Sequence, residues 1–143
     1  MTPMPSPAHA ATLVRLSLGT MWISHALLKL LVFTMPGFEA FLAAQGIPTF
    51  IAWPVVLAEL AGGTAIVLGL HGRYVSLALL PILAGALWTH YPNGWVFSAA
   101  NGGWEFPAYL IVWSVVHFLL GDGAFALSSK RSPHFGTRLA HAS

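Results

Sequence analysis

Cysteine is absent from this chain, and charged residues are scarce. Without thiols the chain can form no disulfide, no thiolate metal site and no covalent c-type haem attachment, so any redox role must depend on a bound cofactor or a partner. Asp, Glu, Lys and Arg make up only 7% of the 143 residues, against about 25% in ordinary soluble domains. Composition therefore predicts an integral membrane protein formed by a single domain.

A clustered basic face is also missing. The formal net charge is only +2, and the six Lys and Arg residues are scattered along the chain, so we expect no nucleic-acid partner. The hydrophobic fraction is 57% and the mean hydropathy is +0.74, which makes the lipid bilayer the expected environment. The first ten residues contain no Lys or Arg and therefore lack the basic start of a secretory signal.

Four apolar stretches are long enough to be read as membrane-spanning helices, for which about 20 residues are needed. Proline and glycine end them, as at Pro36-Gly37 and at Pro92-Asn93-Gly94. The predicted fold class is an all-α integral membrane four-helix bundle. The single predicted transmembrane domain, 1–143, has spans at approximately 11–35, 49–70, 74–91 and 106–121 and a cytoplasmic tail at 128–143.

Lys and Arg occur in only one set of connections. Arg73 lies between spans two and three, and Lys130, Arg131 and Arg138 follow span four, whereas the segments 36–48 and 92–105 contain neither residue type. Because Lys and Arg accumulate on the cytoplasmic side, both termini are predicted to be cytoplasmic. The predicted localisation is the bacterial inner (cytoplasmic) membrane, as a multi-pass protein.

Three further patterns concern helix packing. Ala61, Ala65 and Gly69 recur every four residues in span two and predict a small-residue face for close helix contact. Pro81 predicts a bend in span three, because proline removes one helical hydrogen bond. The apolar segment 37–48 predicts a short amphipathic helix at the outer surface of the membrane.

Five ionisable side chains lie within the apolar stretches, where a charge costs at least about 2.5–3.5 kcal/mol. Arg15, His25 and Lys29 share one face of span one, Glu59 lies in span two, and His117 lies in span four. At about 1.5 Å per residue, His25 and Glu59 have a similar depth in the outer half, whereas Arg15 and His117 occupy the inner half. Residues of this kind are candidates for function, because they need a partner, a cavity or a substrate.

The outer group predicts one outward-facing polar pocket within the bundle. Lys29 is one turn further out than His25, and His90 and Glu105 flank the outer ends of spans three and four. In the alternative interpretation, Lys29 and Glu59 form a structural ion pair and the histidines are packed groups with satisfied hydrogen bonds. Catalytic residues are not identified; the ligand-binding candidates are His25, Lys29, Glu59, His90, Asn93, Glu105, Trp22, Trp88 and Trp104.

Three kinds of ligand could occupy such a pocket. A quinone headgroup needs an apolar slot and a hydrogen-bonding or proton-exchanging group at each carbonyl, which His25, Glu59 and His90 could supply. A metal ion is less favoured, because its ligand set of His25, Glu59, His90 and Glu105 is spread over four spans without the close spacing of a metal motif. Haem between histidines fits least well, since His25 and His117 differ in depth.

Short motifs follow one another in a fixed order along most of the chain. They are Arg15-x-x-x-Gly19, His25-x-x-x-Lys29-Leu30, Glu59-x-x-Gly62-Gly63, Gly69-Leu70-x-x-Arg73, His90-x-x-Asn93-Gly94, Gly102-Gly103-Trp104-Glu105-Phe106-Pro107 and Gly121-x-Gly123. From about Leu13 to Leu127 this set resembles the DoxX family of small four-helix bacterial and archaeal membrane proteins. The chain departs from many members at Ala126-Leu127-Ser128, where they have a turn that ends in an acid.

The resemblance implies a membrane subunit associated with redox chemistry. Named relatives include a membrane subunit of a thiosulfate:quinone oxidoreductase, and others are linked to oxidative-stress complexes. We therefore expect an inner-membrane subunit of a quinone-linked redox complex, with a protein partner or a second copy of the chain, and leave open whether it takes part in catalysis. The alternatives are a non-enzymatic membrane anchor or assembly partner of a soluble redox enzyme, or a membrane protein that binds a small solute or a metal.

Overall fold

The computed structural model describes residues 6–128, and all regular secondary structure in this range is helical. The predicted all-α class is confirmed for these residues. The predicted tail 128–143, with Lys130, Arg131 and Arg138, lies outside the described residues except for Ser128. The helices are α1 (Pro7–Leu31), α2 (Thr34–Ala44), α3 (Ala52–Leu68), α4 (Gly72–Ala78), α5 (Leu80–His90) and α6 (Glu105–Leu120), with short 3-10 turns at Thr49–Ile51 and Tyr91–Asn93.

The chain turns sharply after α1, earlier than the proline pattern indicated. Helix α1 ends at Leu31, and Thr34, with φ at 61°, begins α2 at an angle of 99° to α1. Pro36 therefore lies in the first turn of α2, where its missing N–H removes no helical hydrogen bond. The short outer helix expected within 37–48 is present as α2, which begins earlier, at Thr34, and ends at Ala44.

The third predicted span is formed by two consecutive helices. Helices α4 and α5 meet at Leu79, and Pro81 lies in the first turn of α5, so the regular helix is interrupted beside this proline. By length and hydropathy, Gly72–Asn93 and Thr49–Leu68 can each cross a membrane, and α1 with α2 makes a third span if this bent pair is counted as one. Helix α6 is apolar but has only 16 residues.

Helices α1 and α3 approach closely at glycine. A Cβ added at Gly63 would lie 2.8 Å from Cβ of Trp22 and 3.0 Å from the carbonyl oxygen of Gly19, so any larger residue would push the helices apart. Of the predicted small-residue face, Gly69 is buried and closely packed, whereas Ala61 is exposed. Gly62, the neighbour of Ala61, is buried, and a Cβ there would meet Leu79 at 2.8 Å.

Two apolar clusters hold the helices together. The central cluster contains Trp22, which is 1% exposed, and joins α1, α3 and the α4–α5 junction. The outer cluster packs Phe38 and Leu42 of α2 onto α1 and α3. Helix α2 thereby covers the outer end of the α1–α3 contact, where the candidate residues Lys29 and Glu59 lie.

Candidate functional site

An ion pair joins the last two turns of α1 to the middle of α3. Nζ of Lys29 donates hydrogen bonds to both carboxylate oxygens of Glu59, each at 2.8 Å. The side chain of Glu59 is 3% exposed and that of Lys29 is 16% exposed. Nζ also lies 5.3 Å from the ring centre of Phe38, which α2 places over the pair. The ion pair of the alternative interpretation is therefore present, and both of its charges are largely enclosed.

His25 lies one turn before Lys29 on α1. Its Nδ1 is 3.0 Å from the carbonyl oxygen of Met21, and its ring stacks on Phe106 of α6 at 5.6 Å between ring centres. A carbonyl oxygen can only accept, so Nδ1 carries the proton, and in the neutral ring Nε2 keeps its lone pair. No described residue forms a hydrogen bond with this Nε2. His25 therefore presents an unused acceptor beside the first turn of α6.

His90, on α5, also has its Nδ1 against a backbone carbonyl oxygen one turn earlier, with Oγ1 of Thr89 a further 3.1 Å neighbour, but its ring contact is tilted rather than stacked. Its Nδ1 lies 2.7 Å from the carbonyl oxygen of Ala86, and its ring centre is 6.4 Å from that of Phe41 on α2. Phe41 in turn lies 6.5 Å from Phe38, with the two rings nearly parallel. Two neighbouring phenylalanine rings on α2 thus link His90 to Lys29: Phe41 lies beside His90, and Phe38 lies over Lys29. Nε2 of His90 accepts no hydrogen bond from a described residue.

The remaining polar candidates support the outer loop between α5 and α6. The side-chain amide of Asn93 donates to the carbonyl oxygen of Asn101 at 3.0 Å and to that of the next residue at 2.8 Å. The carboxylate of Glu105 accepts the backbone N–H of Phe97 at 3.1 Å. Trp104 packs edge-on against another tryptophan of the loop at 4.4 Å. The structure therefore places Asn93, Glu105 and Trp104 together, but not in contact with the ion pair.

The other two tryptophan candidates, Trp22 and Trp88, differ strongly in exposure. Trp22 is 1% exposed within the central cluster, and its indole N–H has no hydrogen-bond partner in the described part of the chain. Trp88, on α5, is 61% exposed. Trp22, Trp88 and Trp104 consequently do not form one shared wall. The rings beside the three basic candidates Lys29, His90 and His25 are phenylalanines, namely Phe38, Phe41 and Phe106.

Metal ligation was the alternative use of the outer residues. Within residues 6–128, no three His, Asp or Glu side chains are grouped so that they could hold a metal ion. The proposed ligands His25, Glu59, His90 and Glu105 are engaged separately: with Met21 and Phe106, with Lys29, with Ala86, and with the outer loop. The described geometry therefore offers no support for this ligand set.

A second polar network, not predicted from the sequence, lies between α4 and the end of α6. His117 and Ser76 are both 0% exposed, with Nδ1 and Oγ 2.6 Å apart. Nε2 of His117 lies 3.3 Å from Oδ1 of Asp122, which also accepts the backbone N–H of Arg73 at 2.8 Å. Nη1 of Arg15 donates to the backbone oxygen of Asp122 at 2.6 Å. These five residues, here called the inner network, join α1, α4 and α6.

The inner network contains serine, histidine and aspartate but does not have the geometry of a hydrolase triad. In such triads the serine bonds to Nε2 and the aspartate to Nδ1. Here Ser76 bonds to Nδ1 and Asp122 lies at Nε2, and complete burial leaves the Ser76 hydroxyl no access to a substrate. A Cβ at Gly72 would lie 2.8 Å from Oδ1 of Asp122, so the chain is packed tightly around the carboxylate. We assign the network to the stability of the fold.

Apolar helices of membrane-spanning length and a charge pair enclosed between two of them define a membrane protein. The DoxX family model matches residues 10–92, more than half of the chain. The protein belongs to the DoxX family. The matched segment includes His25, Lys29, Glu59 and His90 and ends before the outer loop and α6. The chain matches no protein of curated function and no solved structure.

Proposed function

We propose that the protein is a quinone-binding inner-membrane subunit of a redox complex, with its quinone site beside His25. The observation that supports this most directly is the imidazole of His25, which is fixed by Met21, stacked on Phe106 and unused at Nε2. A quinone ring is flat and carries oxygen at its edge, so it needs an aromatic surface and a group that exchanges a hydrogen bond or a proton. Ligand sites are commonly apolar with few polar groups of this kind.

Electrons would have to come from a partner protein. The chain contains no cysteine and therefore no thiol redox chemistry of its own. A second candidate function is a non-enzymatic anchor or assembly partner for a soluble redox enzyme. It is favoured by the Lys29–Glu59 pair, in which both carboxylate oxygens are already bonded and which can act purely in packing.

We further propose four membrane crossings with both termini in the cytoplasm. Helices α1, α3, the consecutive pair α4 and α5, and α6 would cross, while α2, at 99° to α1, would lie along the outer surface. Helix α6 has 16 residues, about 24 Å at 1.5 Å per residue, so flanking apolar residues would complete its crossing. The basic residue Arg73, between α3 and α4, would lie on the cytoplasmic side with the basic tail.

The topology can be tested with reporter fusions. A reporter fused after Ser143 is expected to be active only as a cytoplasmic reporter, and one inserted near Ala99 only as a periplasmic reporter, because Lys and Arg are absent from 92–105. At each position, the activity of one reporter that works only in the cytoplasm is compared with that of another that works only in the periplasm. A periplasmic C-terminus or a cytoplasmic Ala99 would contradict four crossings with cytoplasmic ends.

Quinone binding is tested with purified protein in detergent. Addition of a ubiquinol is expected to raise the melting temperature, since a ligand that binds only the folded state stabilises it. The substitution His25→Ala should weaken binding by about tenfold, through loss of one hydrogen bond and one ring contact. The matched control is His9→Ala, because His9 is an exposed histidine on the same helix. Equal binding by both variants, or no stabilisation of the unmodified protein, would leave the anchor function as the better account.

A further inference from the structure

An apolar groove runs along the surface between α1 and α6, and the assignments above do not use it. Its volume is about 440 Å³. Helix α1 contributes five side chains between Leu13 and Met21, and α6 contributes Phe106, Leu110 and Trp113. The three α6 residues are spaced by four and three positions, so they form one stripe of that helix. The only hydroxyl in the lining is that of Ser17.

Two residues that line the groove, Met21 and Phe106, also contact His25. The side chain of Met21 lines the groove, while its carbonyl oxygen accepts the hydrogen bond from Nδ1 of His25. Phe106 lines the groove and also stacks on the imidazole. Along α1, His25 and Leu13 are twelve residues apart, or about 18 Å. A ligand with a polar ring at His25 and a long apolar chain would therefore fit the two regions together.

Charge at the polar end distinguishes between the amphiphiles available in a membrane. A phospholipid would bring an anionic phosphate, but Nζ of Lys29 is already bonded to both oxygens of Glu59. The Lys29–Glu59 pair as a whole carries no net charge and therefore provides no positive site for an anion at this end. A neutral aromatic ring needs no such site and gains the surface of Phe106. The neighbouring charges therefore favour a quinone-type headgroup over a phospholipid.

The hydrogen-bonding state of His25 also selects between the two redox forms of such a ring. Nδ1–H is used by Met21, so neutral His25 offers an acceptor at Nε2. The carbonyl oxygen of an oxidised quinone is also an acceptor and cannot bond there, whereas the O–H of a quinol can donate to Nε2. We infer that the groove between α1 and α6 holds the isoprenoid chain of a quinol whose ring O–H is donated to His25. This inference rests on the proposed quinone site.

The experiment compares two quinols with the same ring and different chains. Under anaerobic conditions, the full-length protein is titrated with one-isoprene and four-isoprene ubiquinol and with the oxidised four-isoprene form. Leu13→Trp places a large side chain at the far end of the groove. It is expected to weaken binding of the four-isoprene quinol by about tenfold and to leave the one-isoprene quinol unchanged. Leu119→Trp on α6 is the matched control, because Leu119 is 70% exposed, Leu13 is 67% exposed, and only Leu13 lines the groove.

The outcomes separate the groove from the headgroup site. Equal affinity for both chain lengths, or equal effects of Leu13→Trp and Leu119→Trp, would overturn the groove assignment while binding at His25 stands. Tighter binding of the oxidised form would overturn the assignment of His25 as acceptor. Loss of a co-purified phospholipid from Leu13→Trp, without a chain-length effect, would identify an acyl chain as the occupant and also overturn the inference. Binding of neither quinol would remove the proposed function itself.

Discussion

Replacing Glu59 with glutamine is expected to lower the free energy of unfolding by about 3–5 kcal/mol, because it leaves the Lys29 charge enclosed without its partner. Glu59 is 3% exposed and supplies both acceptors of Nζ, so little water is available to replace them. The ring of Phe38, 5.3 Å from Nζ, offers a weaker interaction that cannot compensate for a lost carboxylate. Unfolding by SDS in mixed micelles measures the loss.

The double variant tests whether the two charges act as a pair. Lys29→Met alone should be damaging for the converse reason, since it isolates the carboxylate. The combination Lys29→Met with Glu59→Gln should recover much of the stability, because it removes both charges from the enclosed site. Glu39→Gln on α2 is the control for removing a carboxylate, as Glu39 forms no ion pair among the described residues. Strictly additive losses would show that Lys29 and Glu59 are not coupled.

This pair could be predicted from the sequence because depth along a straight helix follows from residue number. His25 and Lys29 lie on one face of α1 by their spacing, and Glu59 has a matching depth on the neighbouring helix. An enclosed lysine also needs an acid, which narrows the choice of partner further. Both arguments depend only on regular helix geometry, and α1 and α3 are regular across these residues.

The outer loop shows where that reasoning stops. Residue count places Asn93, Trp104 and Glu105 near the outer surface, but it does not give the path of the backbone between helices. In the structure the loop folds back, so that Glu105 accepts from Phe97 and Asn93 bonds to carbonyl oxygens eight and nine residues later. Those bonds use the polar groups that the sequence analysis had assigned to a shared pocket. Hydrogen bonds within a loop were not predictable from periodicity.

The inner network was missed for a related reason, although the sequence held a usable signal. Asp122 appears in the sequence motifs only as the unnamed position of Gly121-x-Gly123. Gly121 and Gly123 have φ at 81° and 70°, values that favour glycine, and they direct Asp122 back toward the start of α4. Of the four acids in the chain, Asp122 alone belongs to the inner side of the predicted topology. A search for an acid to balance Arg15 and His117 would have found it.

The substitution Asp122→Ala is accordingly expected to destabilise the protein by about 1–3 kcal/mol, since the backbone N–H of Arg73 loses its acceptor and His117 loses the carboxylate beside its Nε2. The backbone N–H of Arg73 belongs to the first turn of α4, where no residue of the helix itself provides a side-chain cap. Nε2 of His117 lies 3.3 Å from Oδ1 of Asp122 without forming a hydrogen bond to any described residue. The bond from Arg15 goes to the backbone oxygen of Asp122 and can persist in the variant. SDS unfolding again measures the change.

Asp122→Asn separates the roles of the hydrogen bond and the charge. Asparagine keeps an oxygen that can accept from Arg73 but removes the charge beside His117, so it should cost about half as much as alanine. If asparagine is as damaging as alanine, the charge is the dominant contribution and the cap on α4 is secondary. Stability equal to the unmodified protein in both variants would contradict a stabilising role for the network. Quinol binding at His25 should be unchanged wherever the variant is folded, because the inner network shares no residue with that site.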